Sequence, residues 1–119
     1  MNIFSSTRTF VIYSYAASHG LLLLRSKKTE ATPSRVDILF QDVRAIEIRC
    51  WFDGIAIEKQ DKLEVLASHP SKPLQMVEPG IQVYRLVGRD WEGMIVGGIV
   101  QTHEDQGEFS EESYLLRGA

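Results

Sequence analysis

The sequence predicts an all-β fold, a small antiparallel barrel or sandwich of about eight strands with at most one or two short helical turns. Two observations carry this. Apolar residues recur with period two, in short runs rich in Val, Ile, Phe and Tyr, which is the strand signature. Between two such runs stands Asp53-Gly54, a preferred pair for a two-residue hairpin turn, where both central residues need positive φ. Many short strands at close spacing belong to antiparallel barrels and sandwiches.

Taken in order, strands are expected over Arg8–Tyr15, Gly20–Ser26, Arg35–Gln41, Val43–Phe52, Ile55–Lys59, Leu63–Ala67, Ile81–Val87 and Trp91–Thr102. A shorter one is expected near Ser113–Arg117, and Val43–Ile48 or Glu111–Leu116 could each hold a helical turn. A turn at Asp53-Gly54 fixes a register: Phe52 faces Ile55, Trp51 faces Ala56, Cys50 faces Ile57 and Arg49 faces Glu58. One face then carries Ile46, Ile48, Cys50, Phe52, Ile55 and Ile57. The other carries Glu47, Arg49, Trp51, Ala56 and Glu58, with Arg49 and Glu58 paired across the strands.

The same parity continues through Val36, Ile38 and Phe40, and then Asp42 and Arg44 interrupt it. Two charges facing a core would be costly, so a bend or bulge is expected there. Gly93, Gly97 and Gly98 lie inside the last long strand, where glycine marks a bulge, a corner or a close backbone approach. The polar stretch Lys27–Ser34 reads as a hairpin arm. Ser68–Gly80, with Pro70, Pro73 and Pro79, reads as an irregular crossover and not as a domain boundary, because the roughly 40 residues after it are marginal for independent folding. One domain, residues 1–119, is expected.

The composition is that of an ordinary globular protein, with 44% hydrophobic and 24% charged residues. A net charge of −3 has the wrong sign for neutralising phosphates, so nucleic acid is not an expected partner. Phe10–Leu24 is interrupted by Tyr13, Ser14, Tyr15, Ser18 and His19, and its flanking charges are mostly on the C-terminal side. It fits neither a secretory leader nor a membrane span, and a cytoplasmic location is expected.

No spacing in the chain forces a chemistry. The single cysteine, Cys50, excludes an internal disulfide, and its place on the inferred dry face makes it an expected structural residue and not a nucleophile. His19, His69 and His103 lack the local spacing of zinc ligands. The acidic segment Glu104–Glu112 fails the EF-hand pattern around Gly107, and a solvated charged loop is expected. There is no Gly-x-Ser-x-Gly elbow, and the glycines fit neither phosphate-binding nor dinucleotide spacing. No metal, cofactor or catalytic residue is assigned. Arg25, Lys27, Lys28 and Arg35 flank the Lys27–Ser34 arm and are expected to be solvated.

Trp51 is the residue that points outward. On the polar face beside Arg49, with Glu58 opposite, it is the kind of aromatic and arginine pairing found at interfaces. The leading expectation is therefore a non-enzymatic binding or regulatory module, acting through self-association or protein contacts around Trp51, Arg49 and Glu58. The alternatives are a small-ligand sensor with a pocket at a barrel mouth, and an enzyme with His19, Asp37, His69 and His103 gathered from distant segments.

Overall fold

The computed structural model describes residues 1–61, 64–65 and 79–118. Among them, eight antiparallel strands form one sheet: β1 (Asn2–Ala16), β2 (Leu21–Ser26), β3 (Arg35–Phe40), β4 (Ala45–Glu47), β5 (Trp51–Gln60), β6 (Gln82–Gly88), β7 (Trp91–Gly97) and β8 (Val100–Asp105). A 3₁₀ turn, η1 (Tyr114–Gly118), follows. The expected all-β class and strand number hold. Neighbouring strands run β4-β7-β6-β5-β1-β2-β3-β8.

The sheet curls on itself through two facing corners. β3 pairs with β8, and after a break β4 pairs with β7. The breaks are bridged by Gln41 N–H to Ile99 O (2.9 Å), Gly98 N–H to Gln41 O (2.8 Å) and Arg44 N–H to Val96 O (2.7 Å). Asp42 takes φ +54° at one corner, where the interrupted charge pattern predicts a bend. Gly97 and Gly98 lie at the other, so the expected long strand Trp91–Thr102 is two strands. Gly93 allows a close approach: a side chain there would run into the Glu47 carbonyl.

One core lies inside the curl. Phe10, Leu22, Leu24, Ile38, Phe40, Phe52, Ile57, Leu86 and Ile95 are all fully buried and belong to one cluster. It draws on β1, β2, β3, β5, β6 and β7, which is the barrel-like arrangement that the alternating pattern implies.

The Asp53-Gly54 hairpin does not form. β5 runs straight through both residues from Trp51 to Gln60. Its partner there is the N-terminal half of β1, with Ser6 opposite Ile55 and Thr9 opposite Asp53. Thr7 and Arg8 thus face Gly54 alone, a β-bulge, and Gly54 adopts φ +72° to make it. The pairs Phe52/Ile55, Trp51/Ala56, Cys50/Ile57 and Arg49/Glu58 are therefore replaced by pairing to β1 and β6.

The strand expected over Val43–Phe52 is reduced to Ala45–Glu47 before β5. Ser113–Arg117 contributes to the 3₁₀ turn, not to a strand. Of the strand expected over Leu63–Ala67, the described Glu64 and Val65 are helical, with Val65 N–H bonded to Asp61 O (3.1 Å). The rest of that segment, His69, and the crossover up to Glu78 lie outside the described residues.

Candidate functional site

Both faces of β2 and β3 are buried, because the C-terminal segment packs on their outer side. Two arginines hold it there. Arg25, fully buried, donates Nε and Nη2 to the two oxygens of Asp37 (2.7 and 3.1 Å) and Nη1 to the carbonyls of Phe109 and Glu111 (2.6 and 2.8 Å). Arg35 repeats the pattern. Its Nε and Nη2 bind Asp105 (both 3.0 Å), and its Nη1 binds the carbonyls of Glu108 and Glu111 (2.6 and 2.9 Å). These residues were expected to be solvated flanks of a loop. They are buried instead because each charge is matched by a bidentate carboxylate and by backbone carbonyls, as a buried guanidinium requires.

Aromatic contacts complete the seal. The Arg25 guanidinium lies 4.1 Å from the centre of the Tyr13 ring, Tyr13 meets Phe109 edge to face at 5.2 Å, and Tyr114 stacks on His103 at 4.5 Å. The Arg35 guanidinium and the Gly107 N–H hold the Asp105 carboxyl below the usual carboxylate range against its partial burial. At Glu104 the Ser34 hydroxyl and Arg8 have the same effect. The acidic segment thus keeps exposed side chains at Glu108, Glu111 and Glu112, but its backbone is fixed to the sheet.

The residues of the expected interaction face are not gathered into one patch. Trp51 is 54% exposed at the start of β5, and Arg49 is exposed just before it. Glu58 lies on the far side of the bulge, roughly 20 Å away along the strand. Its carboxylate bonds Arg85 (3.1 Å) in place of Arg49, within an exposed chain of charges that continues to Glu92. Cys50 is exposed, not buried, because it lies in a bend before β5, where the strand alternation that buries Phe52 does not extend.

Of the dispersed catalytic set, the three described residues, His19, Asp37 and His103, do not converge. Asp37 faces His103 across β3 and β8, but both Asp37 oxygens are taken by Arg25, and His103 Nε2 lies 3.4 Å from Asp105. His19 is exposed in the β1–β2 turn, at the other end of that ladder, with Nδ1 3.0 Å from the Ser18 hydroxyl. Among the described residues no group of three or more His, Cys, Asp or Glu is placed to hold a metal ion, and no helix is long and apolar enough to cross a membrane.

A shallow groove of about 580 Å³ runs beside the bulge, between Ser6–Thr7, Asp53–Ala56 and Val87–Arg89. Its floor follows from the bulge itself, since Arg89 N–H bonds the Asp53 carbonyl (3.0 Å) and Thr9 Oγ1 donates to Asp53 Oδ1 (2.6 Å). Nothing in the sequence pattern marks this groove, because it needs β1 and the β6–β7 turn to meet at Gly54.

Fold and surface together define a small, curled antiparallel β protein with an arginine-held C-terminal segment and an exposed tryptophan. No protein-family model, no curated protein and no solved structure matches the chain.

Proposed function

We propose that this protein is a non-enzymatic binding module that engages a protein partner through the outer surface around Trp51 and Arg49. What supports the reading is the 54% exposure of Trp51 on a paired strand, opposite the half-buried Val11 of β1. A large ring on a fixed backbone loses little conformational freedom when it is covered, which is why such residues act as anchors. Glu58 plays no part in this surface, because Arg85 holds it elsewhere.

In vivo cross-linking with quantitative mass spectrometry tests the proposal. Proteins recovered with the wild-type chain should be lost with Trp51→Ala and reduced with Arg49→Ala, while both variants melt like the wild type. Recovery that is indifferent to Trp51 would overturn the reading.

The groove at Gly54 favours one second reading, a small-ligand sensor. A melting shift with a member of a metabolite panel, abolished by Arg89→Ala, would support it over the first.

A further inference from the structure

A curled sheet must deal with every strand edge it leaves unpaired. Among the described residues, β4, β8 and the N-terminal half of β1 each leave an edge that no ladder covers. β4 is three residues long and ends on Glu47, and β8 carries His103, Glu104 and Asp105. Short length and charge are the usual protections against stray pairing. The third edge lacks both, although its ladder to β5 is irregular at each end and regular over Phe4–Ser6. β1 is fifteen residues long, yet β2 pairs only with its Phe10–Ala16 portion. Asn2–Thr9 is bonded on one side to β5, and no ladder among the described residues covers the other side.

Asn2–Thr7 reads Asn-Ile-Phe-Ser-Ser-Thr, with no charge, proline or glycine. Ile3, Ser5 and Thr7 are exposed, and Ile3 retains 42% of its surface. The first charge, Arg8, is already turned to Ser34 O (2.9 Å), Ser34 Oγ (3.0 Å) and Glu104 (3.3 Å), which closes the edge at that point. An uncharged strand of this kind, with backbone donors and acceptors in a row, recognises another extended strand by main-chain hydrogen bonds.

We propose that Asn2–Thr7 is a self-pairing edge, through which a second copy of this chain adds antiparallel about a two-fold axis at Ser5. The sequence is complementary to itself in that register: Ser5 faces Ser5 of the second copy, Phe4 faces Ser6 and Ile3 faces Thr7. Asn2 faces Arg8, so no like charges oppose each other. The pairing joins the β1-β5-β6-β7 portions of two molecules into one continuous sheet. It stands apart from the Trp51 surface, and each reading can fail without the other.

Charge substitution at the axis tests it. Ser5 is exposed, and among the described residues its side chain bonds only the exposed Asn2 (3.0 and 3.3 Å), so Ser5→Lys and Ser5→Asp should fold and melt like the wild type. In sedimentation equilibrium the wild type is expected to pass from monomer to dimer as its concentration rises. Each variant alone sets like charges face to face and should remain monomeric, and an equimolar mixture of the two should recover the dimer. In the wild-type protein, amide exchange at Asn2–Thr7 should slow with increasing concentration. A wild type that stays monomeric at millimolar concentration would overturn the proposal. So would variants that dimerise as well as the wild type, or a mixture that fails to recover the dimer.

Discussion

Removing the Arg25 guanidinium tests the central packing of the outer face. In Arg25→Met the stem volume is largely kept, but Asp37, with 1% of its side chain exposed, loses the partner that binds both of its oxygens. Breaking a buried pair by deleting one member costs about 3–5 kcal/mol, because the remaining charge stays desolvated. The carbonyls of Phe109 and Glu111 lose a donor as well. Their cost is limited, since the C-terminal segment can lift away and expose both carbonyls and Asp37 to water. The loss is therefore expected near about 3–5 kcal/mol and not at the sum of all four bonds. Replacing both partners, Arg25→Met with Asp37→Leu, should restore much of the pair's share, because no isolated charge remains. Urea melts of the wild type, the two single variants and the double variant give the coupling directly. Amide exchange at Leu116, whose N–H bonds Ser113 O (3.2 Å), reports the lifting of the segment. A single variant within about 0.5 kcal/mol of the wild type would refute the account, since surface substitutions behave that way.

Three further predictions follow from the same geometry. Gly54 has open space around it, its nearest would-be neighbour being Ser6 O at 3.7 Å, so Gly54→Val costs conformation and not contact, about 1–3 kcal/mol. Gly54→Asn should recover part of that loss because Asn tolerates positive φ, and equal losses in denaturant melts would contradict a left-handed bulge. With Trp91→Phe, the remaining Trp51 should be quenched strongly by acrylamide. With Trp51→Phe, the remaining Trp91, which packs on Phe52 at 4.7 Å, should be quenched weakly. Arg35 lowers the Asp105 pKa in the folded state, so its contribution is present above the unfolded value and fades as pH falls through the folded one. Thermal melts should accordingly lose stability below about pH 4, and Asp105→Asn should flatten that limb.

The error at Asp53-Gly54 has a definite physical origin. Phe52 and Ile55 are both buried although they are an odd number of residues apart. A two-residue turn produces that result, and so does a one-residue bulge, because each skips one step of the strand's alternation. The side-chain pattern therefore identified the inward residues Phe52, Ile55 and Ile57 without deciding whether the chain reverses. That choice depends on β1, more than forty residues away, whose Thr7 and Arg8 oppose Gly54. Cys50 was misplaced for a different reason: it is two residues from the buried Phe52, but residues 48–50 are not strand, so the alternation does not reach it. Asp42 and Gly97–Gly98 were legible as corners because charge and glycine act locally. Arg25 and Arg35 were not, since the carbonyls that satisfy them come from residues 108–112, at the other end of the sequence.

The outer face forms one continuous row across five strands. Trp51 lies opposite Val11, Val11 opposite Arg25, Arg25 opposite Asp37, and Asp37 opposite His103. Tyr114 covers the His103 end, the Phe109–Glu111 backbone seals Arg25 and Asp37, and the row emerges into solvent at Trp51. Arg25 sits at the junction. Its guanidinium stacks over Tyr13 on the strand that carries Val11, while its Nη1 holds the covering segment. The segment that seals this face of the sheet is thus the same one that sets where its covered surface stops. The residue left open at that boundary is an aromatic one, on a strand whose position is fixed by pairing to β1.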